Sequence, residues 1–238
     1  MGSRSSIERR ASWVGPGFSI GQRRGYVDQN EPDKFRETDV LATLAGDSDG
    51  VAGLIVECKR TTKPWVVLVS DQPLSAVDTM RYAVASGGAY DRLQAVAISY
   101  GPFRVPDFVR DVQPGLSTVV GMLDQGAKDA AREAMAQAIS GAWGFVADRP
   151  DIMRIGWPVV VIDGPLVTAR FAENEDIIDE VDEARIFWRS APFPRPAVVD
   201  VVRVSALPDY ANRARMGLQA MRSVVKKPPP WLDDVLTT

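Results

Sequence analysis

Apolar residues along this chain gather into short runs separated by turn residues. The first three runs are Asp39-Val40-Leu41-Ala42-Thr43-Leu44, Val51 to Lys59, and Trp65-Val66-Val67-Leu68-Val69, with β-branched side chains throughout. Gly46-Asp47-Ser48-Asp49-Gly50 between the first two is a turn signal, and Pro64 suits the first position of the third. Three sequential strands follow from this pattern. Leu74, Val77, Met80, Val84 and Ala85 then return at roughly helical spacing, with a stop at Gly87-Gly88. Leu93 to Ile98 reads as a fourth strand, and Gly101 to Pro114 as a proline-punctuated loop.

An Ala-rich helix is expected over 121–143, then a strand and turn over 158–164 that continues as a hairpin through 167–171. The acidic run Glu173-Asn174-Glu175-Asp176 reads as a solvated loop leading to an element that ends near Trp188. Ala191 to Pro196 is a stiff connector, Val198 to Val204 a late strand, and Leu207 to Val225 a last helix that Pro228-Pro229-Pro230 cannot continue. Residues 1–30 are polar, and Ser5-Ser6-Ile7-Glu8 has the form of a capping box for a short helix before Gly15-Pro16-Gly17. Strands that precede and alternate with helices give an α/β class with a mixed central sheet flanked by helices.

Composition narrows the chemistry more than the fold. At 238 residues, 45% hydrophobic and 25% charged, the chain can bury a full core. A net charge of −3 gives no basic surface for tracking phosphates. The single cysteine excludes an intrachain disulfide and a Cys-rich zinc site. The absence of histidine removes Ser-His-Asp and Cys-His catalysis, HExxH metalloprotease chemistry and imidazole proton shuttling. A hydrolase built from this chain must use carboxylates, lysine, hydroxyls or an oxygen-ligated metal. No apolar stretch approaches the ~18 residues of a spanning helix, and the polar start does not read as a signal peptide. A cytoplasmic protein with no membrane partner is the expectation.

Two acidic clusters then stand out. Glu37-Thr38-Asp39 opens the first apolar run, and Glu57-Cys58-Lys59 closes the second. Side chains alternate faces along a strand, so Glu37 shares a face with Asp39, and Glu57 with Lys59, while Cys58 falls on the apolar side with Val56 and Leu54. Pairing Ala45 with Val51 across the turn sets Asp39 opposite Glu57 and Glu37 opposite Lys59. Opposed residues have Cβ atoms roughly 4.5–5.5 Å apart, and two carboxylates that close repel unless a cation lies between them or one is protonated. Mg²⁺ or Mn²⁺, which takes one or two carboxylates plus water and substrate phosphate, resolves the repulsion. Lys59 could orient or deprotonate a metal-bound water or stabilise developing charge. Simple salt bridging of Glu37, Glu57 and Lys59 at a strand end is the competing explanation.

Asp39 followed by Glu57-Cys58-Lys59 at the end of the next strand resembles the PD-(D/E)XK nuclease core of the restriction-endonuclease-like superfamily. Arg36 to Ala42 and Val56 to Arg60 resemble its motif strands, Lys63-Pro64-Trp65-Val66 resembles the entry to its third strand, and Thr38 stands where the signature proline would be. The resemblance covers about residues 5–99 and implies a mixed sheet ordered helix, three strands, helix, strand. It divides the chain into an N-terminal helix and loop (1–30), a nuclease core (31–100) and a C-terminal α/β elaboration packed with the core (101–238). It also implies a metal held by Asp39, Glu57 and the backbone carbonyl of Cys58, with Lys59 catalytic and Glu8 as a helix-borne accessory carboxylate. Arg60 and Lys63 would then contact substrate phosphates, with Glu37 a further accessory group.

These readings converge on a Mg²⁺- or Mn²⁺-dependent endonuclease acting on DNA or RNA, consistent with a bacterial defence or restriction role, working with a partner subunit or as a homodimer. The alternative is a catalytically silent nuclease-fold subunit that binds nucleic acid or protein as a scaffold. An unrelated metabolic α/β enzyme is disfavoured because no Gly-rich cofactor loop follows the first strand.

Overall fold

The computed structural model describes residues 17–28, 33–44, 50–69, 76–100, 108, 114–121, 130–171, 176–189, 193 and 195–226. In chain order the elements are β1 (Phe18–Val27), β2 (Phe35–Leu44), β3 (Gly50–Arg60), β4 (Trp65–Val69), α1 (Ala76–Arg81), β5 (Val84–Ala85) and α2 (Gly87–Tyr100). There follow β6 (Pro114–Gly121), α3 (Ala130–Ala147), β7 (Met153–Asp163), β8 (Leu166–Phe171), β9 (Asp176–Glu180), β10 (Glu183–Trp188), β11 (Ala197–Arg203) and α4 (Leu207–Lys226).

Among the described residues, eleven strands form one mixed sheet in the order β1-β2-β3-β7-β11-β10-β6-β4-β8-β9, with β5 paired to β7. β1, β2 and β3 make an antiparallel meander. β7 then runs parallel to β3 along its whole length, from Gly50↔Met153 to Arg60↔Asp163. A parallel neighbour needs a crossover, and α3 immediately precedes β7 and packs on the sheet. β3 and β7 are therefore covered on both faces, which explains why they read as near-continuous apolar runs.

The two faces separate by strand alternation. Leu54, Val56, Trp157, Val159 and Val161 face α2 and α4, where Leu93, Leu218 and Met221 complete one core. Ile55, Val160 and Ile162 face α3, whose Met135, Ala138, Ile139 and Ala142 complete the other. Small residues bring α3 close: a Cβ on Gly141 would stand 2.9 Å from Ile55 Cγ2, and one on Gly144 would stand 2.8 Å from Tyr26 Cβ.

Several sequence expectations need correction. Residues 18–27, expected to be loop, form β1; as an edge strand it buries few side chains, so it lacks an apolar signature. Leu93 to Ile98, expected to be a strand, lies inside α2, where Ala89, Leu93 and Ala97 recur every four residues and are all buried. Gly87-Gly88 starts that helix and does not end one. β8 does not form a hairpin with β7; it pairs with β4 and β9. β4, the third of the sequential strands, is held between β6 and β8, and β3 has β2 and β7 as its neighbours. The helix expected over 121–143 forms as α3 over Ala130–Ala147, while its expected first residue, Gly121, ends β6, which begins at Pro114. Glu8, with the short helix expected around it, and turn residues 46–49 lie outside the described residues.

One buried polar assembly ties the sheet to α4. Arg185 of β10 donates to both carboxylate oxygens of Asp200 in β11, at 2.7 and 3.0 Å. Trp157 Nε1 and the Tyr210 hydroxyl also donate to Asp200, at 2.8 and 2.7 Å. Arg185 is fully buried, and its guanidinium stacks 5.1 Å from the rings of Phe108 and Trp157. Every polar partner is satisfied, as a buried ion pair requires.

Candidate active site

The β2–β3 ladder has the expected register, with Val40 opposite Val56, Leu41 opposite Ile55, Ala42 opposite Leu54 and Thr43 opposite Gly53. It stops one pair short of Asp39. There the strands part, and side chains take over the backbone bonds. The Asp39 carboxylate accepts the Cys58 N–H at 2.8 Å, and the Thr38 hydroxyl donates to the Val56 carbonyl at 3.3 Å. The N–H and C=O of one strand residue point at the same neighbour. The Cys58 carbonyl is therefore directed toward the Asp39 side, while its side chain packs against the apolar core.

Thr38 and Leu41 both contribute to the cleft beside α3, and the β1–β2 register runs unshifted past them from Gln22↔Val40 to Arg24↔Thr38. Opposite Asp39 in the β1–β2 register stands Arg23, with φ at 49°, an uncommon backbone state for a non-glycine residue. Irregularities of this kind recur beside functional sites because they re-aim a side chain.

Glu57 is the most constrained group in the cluster. It is 4% exposed, and its Oε1 has no hydrogen-bond partner. Lys59 Nζ stands 3.9 Å from its other oxygen. Burial, reinforced by the charge of Asp39, pushes the Glu57 carboxyl up to about 8. Lys59 and a hydrogen bond from the Asp39 backbone act against the rise without cancelling it. The lysine is only partly engaged because its ammonium donates to Gln137 Oε1 on α3 at 3.0 Å.

Sequence reasoning missed Gln137, which lies 78 residues from Lys59 in an Ala-rich helix with no local sign of a polar role. The same turn of α3 is anchored from β1. The Tyr26 hydroxyl donates to the Gln137 carbonyl at 3.2 Å, and Ser140 donates to Asp28 at 3.1 Å. Asp28, 3% exposed, also accepts from Arg36. Burial drives the Tyr26 hydroxyl up to about 12, so it stays a donor.

The structure thus brings Asp39, Glu57 and Lys59 together and leaves other candidates aside. Glu37 is exposed opposite Gly25, and Lys59 turns to Gln137 and Glu57 in place of the expected Glu37. Arg60 sits on the Cys58 side of β3 and pairs with Asp163 at 3.8 Å. Lys63 is exposed in the turn after β3, where its N–H bonds the Thr61 hydroxyl. Among the described residues, no group of three or more acidic, histidine or cysteine side chains comes together as a metal cage. A pair of carboxylates still fits Mg²⁺, which keeps several waters and uses one or two protein carboxylates. Buried with one oxygen unpartnered, Glu57 has acceptor capacity left for a donor or a cation.

A cleft of about 350 Å³ opens beside this cluster, between α3 and the β1–β2–β3 meander. Ile55, on the Glu57 side of β3, forms part of its floor, and Thr38, next to Asp39, also lines it, whereas Asp39, Glu57 and Lys59 themselves do not.

No protein-family model, curated protein or solved structure matches this chain. Among the described residues, no helix is long and apolar enough to cross a membrane.

Proposed function

We propose that this chain is a divalent-metal-dependent nuclease of the PD-(D/E)XK type, hydrolysing phosphodiester bonds in DNA or RNA. The observation that carries this reading is Glu57: a buried carboxylate with an unpartnered oxygen, set between Asp39 and Lys59 at the point where a strand pair splays. Asp39 and Glu57 would hold the metal, with the Cys58 carbonyl on the same side. A bound Mg²⁺ or Mn²⁺ would acidify water and offset charge on the phosphate. Lys59, held by Gln137, would orient that water or donate to the developing charge.

The element order also supports the reading. After a leading helix, expected among residues outside those described, the resemblance implies three strands, a helix and a further strand, and β1–β2–β3, α3 and β7 follow one another in that order with β7 parallel to β3. Residues between β3 and α3 are then an insertion, and β4 is not the third motif strand.

The test is cleavage of labelled single- and double-stranded DNA and RNA with Mg²⁺ or Mn²⁺. Wild type is expected to cut at least one substrate, and Asp39→Ala and Lys59→Ala to lose at least a hundredfold. If wild type binds nucleic acid tightly and cuts nothing, the silent scaffold replaces the enzyme. Equal cleavage by all three proteins would remove the assignment of these residues.

A further inference from the structure

We infer that the cleft beside the carboxylates is a subsite for one unpaired nucleotide, which makes single-stranded nucleic acid, or a strand end, the substrate class. The inference rests on the nuclease reading for its ligand and on the cleft for its selectivity. A volume of about 350 Å³ lies at the small end of the roughly 300–1,000 Å³ typical of ligand pockets, enough for one nucleotide but not for a base pair within a duplex. A base in duplex would have to leave its stack to enter.

The lining suits a nucleotide. The Arg154 guanidinium lies over the Phe145 ring, 4.9 Å from its centroid, and this pair lines the cleft above a buried floor of Tyr26, Leu41 and Ile55; arginine and aromatic surfaces are those on which bases stack without sequence preference. Arg24 and Arg154 stand on the same cleft and provide cations for a phosphate. Arg154 is partly committed, donating to the Phe145 carbonyl at 2.6 Å and to Asp148 at 3.1 Å. Arg24 is exposed and has no ion pair among the described residues, so it is the freer phosphate contact. With Asp148 counted, the lining keeps a net positive charge, unlike the chain as a whole.

Position ties the cleft to the chemistry. Ile55 is two residues from Glu57, and Thr38 adjoins Asp39, so a nucleotide seated here would lie next to the bond presented to the carboxylates.

The test is metal-free binding in EDTA, by fluorescence anisotropy of a labelled single-stranded oligonucleotide and by competition with a mononucleotide, inorganic phosphate and a duplex of the same sequence. The strand and the mononucleotide should bind, phosphate alone should compete poorly, and the duplex should bind at least tenfold more weakly than the strand. Thr43→Trp, which fills the cleft from its half-exposed rim, should weaken binding at least tenfold with an unchanged melting temperature. If Thr43→Trp melts early, the exposed Arg24→Gln carries the test: it should weaken binding severalfold and flatten the salt dependence by about one counterion.

Asp39→Asn should bind as wild type in EDTA while losing cleavage with metal. Equal binding of strand and duplex, wild-type binding by Thr43→Trp and Arg24→Gln, or no mononucleotide binding at millimolar concentration would overturn the subsite. In those cases, loss of cleavage in Asp39→Asn would leave the nuclease reading standing. Conversely, cleft-dependent binding with wild-type cleavage by Asp39→Asn and Lys59→Ala would retain the subsite and reject those catalytic roles.

Discussion

The Asp39 carboxylate accepts the backbone N–H of Cys58 at 2.8 Å, in the place where a ladder bond from β2 would otherwise fall. The strand pair therefore ends on a side chain, and that side chain is one of the two carboxylates offered to a metal. Asp39→Asn keeps an oxygen for the Cys58 N–H and should fold normally. Asp39→Ala removes it and should cost about 1 kcal/mol of stability. Urea unfolding of the two variants separates the structural role from the chemical one, because both should lose cleavage alike.

Glu57 makes stability depend on pH. Its folded carboxyl sits at about 8 against an ordinary 4.5, so the folded state binds the proton more tightly than the unfolded state. The stabilisation from the bound proton is full below about pH 4.5 and is lost as pH rises through about 8, a span worth on the order of 4–5 kcal/mol. Metal-free wild type should therefore melt at progressively lower temperature between about pH 5 and pH 8. Glu57→Gln should flatten that slope, and a flat profile in wild type would count against the buried, unpartnered carboxyl.

A cation should reverse the same trend. At pH 8, millimolar Mg²⁺ or Mn²⁺ should raise the melting temperature of wild type, since it stabilises the ionised carboxylate. Chelation should undo the shift, and Glu57→Gln should show little of it. Calorimetry should also detect proton release on metal binding to wild type near neutral pH.

Gln137 holds the Lys59 ammonium at 3.0 Å and does not reach either carboxylate through any bond in the structure. Gln137→Leu should lower cleavage roughly tenfold, with the loss in turnover and little change in substrate affinity. Combined with Lys59→Ala it should add almost nothing, because both changes disable one unit. Additive losses in that double-mutant cycle would mean Gln137 acts independently of the lysine.

The Arg185–Asp200 assembly should dominate stability. Asp200→Ala strands a fully buried arginine together with the Trp157 and Tyr210 donors, and should cost about 3–5 kcal/mol. Thermal melting of this variant is the check. A loss below about 1 kcal/mol would mean the core relaxes around Arg185 more freely than the four donor contacts to Asp200 suggest.

The β2–β3 unit was legible in the sequence because turn length and strand alternation together fix a register, and Val40↔Val56 is the pair they require. What alternation could not show is where the ladder ends, since a side chain bonding to a backbone N–H leaves no periodic trace. The segment at Leu93 was misread because a short apolar run looks the same in a strand and a buried helix. Its fourfold spacing from Ala89 and Ala97 was the available clue. β1 was silent because an edge strand needs few buried side chains. Gln137 was silent for another reason: its partner comes from across the fold.

That last distance has a consequence for how the protein is made. Asp39 and Glu57 are translated early, whereas Gln137, which steadies Lys59, follows 78 residues after that lysine. Chains emerge and fold from the N-terminus, so a nascent polypeptide carries the acidic pair well before the amide that orients its lysine exists. Completion of the cluster is therefore coupled to docking of α3 on the meander, and a truncated product ending before that helix would carry the carboxylates without their lysine clamp.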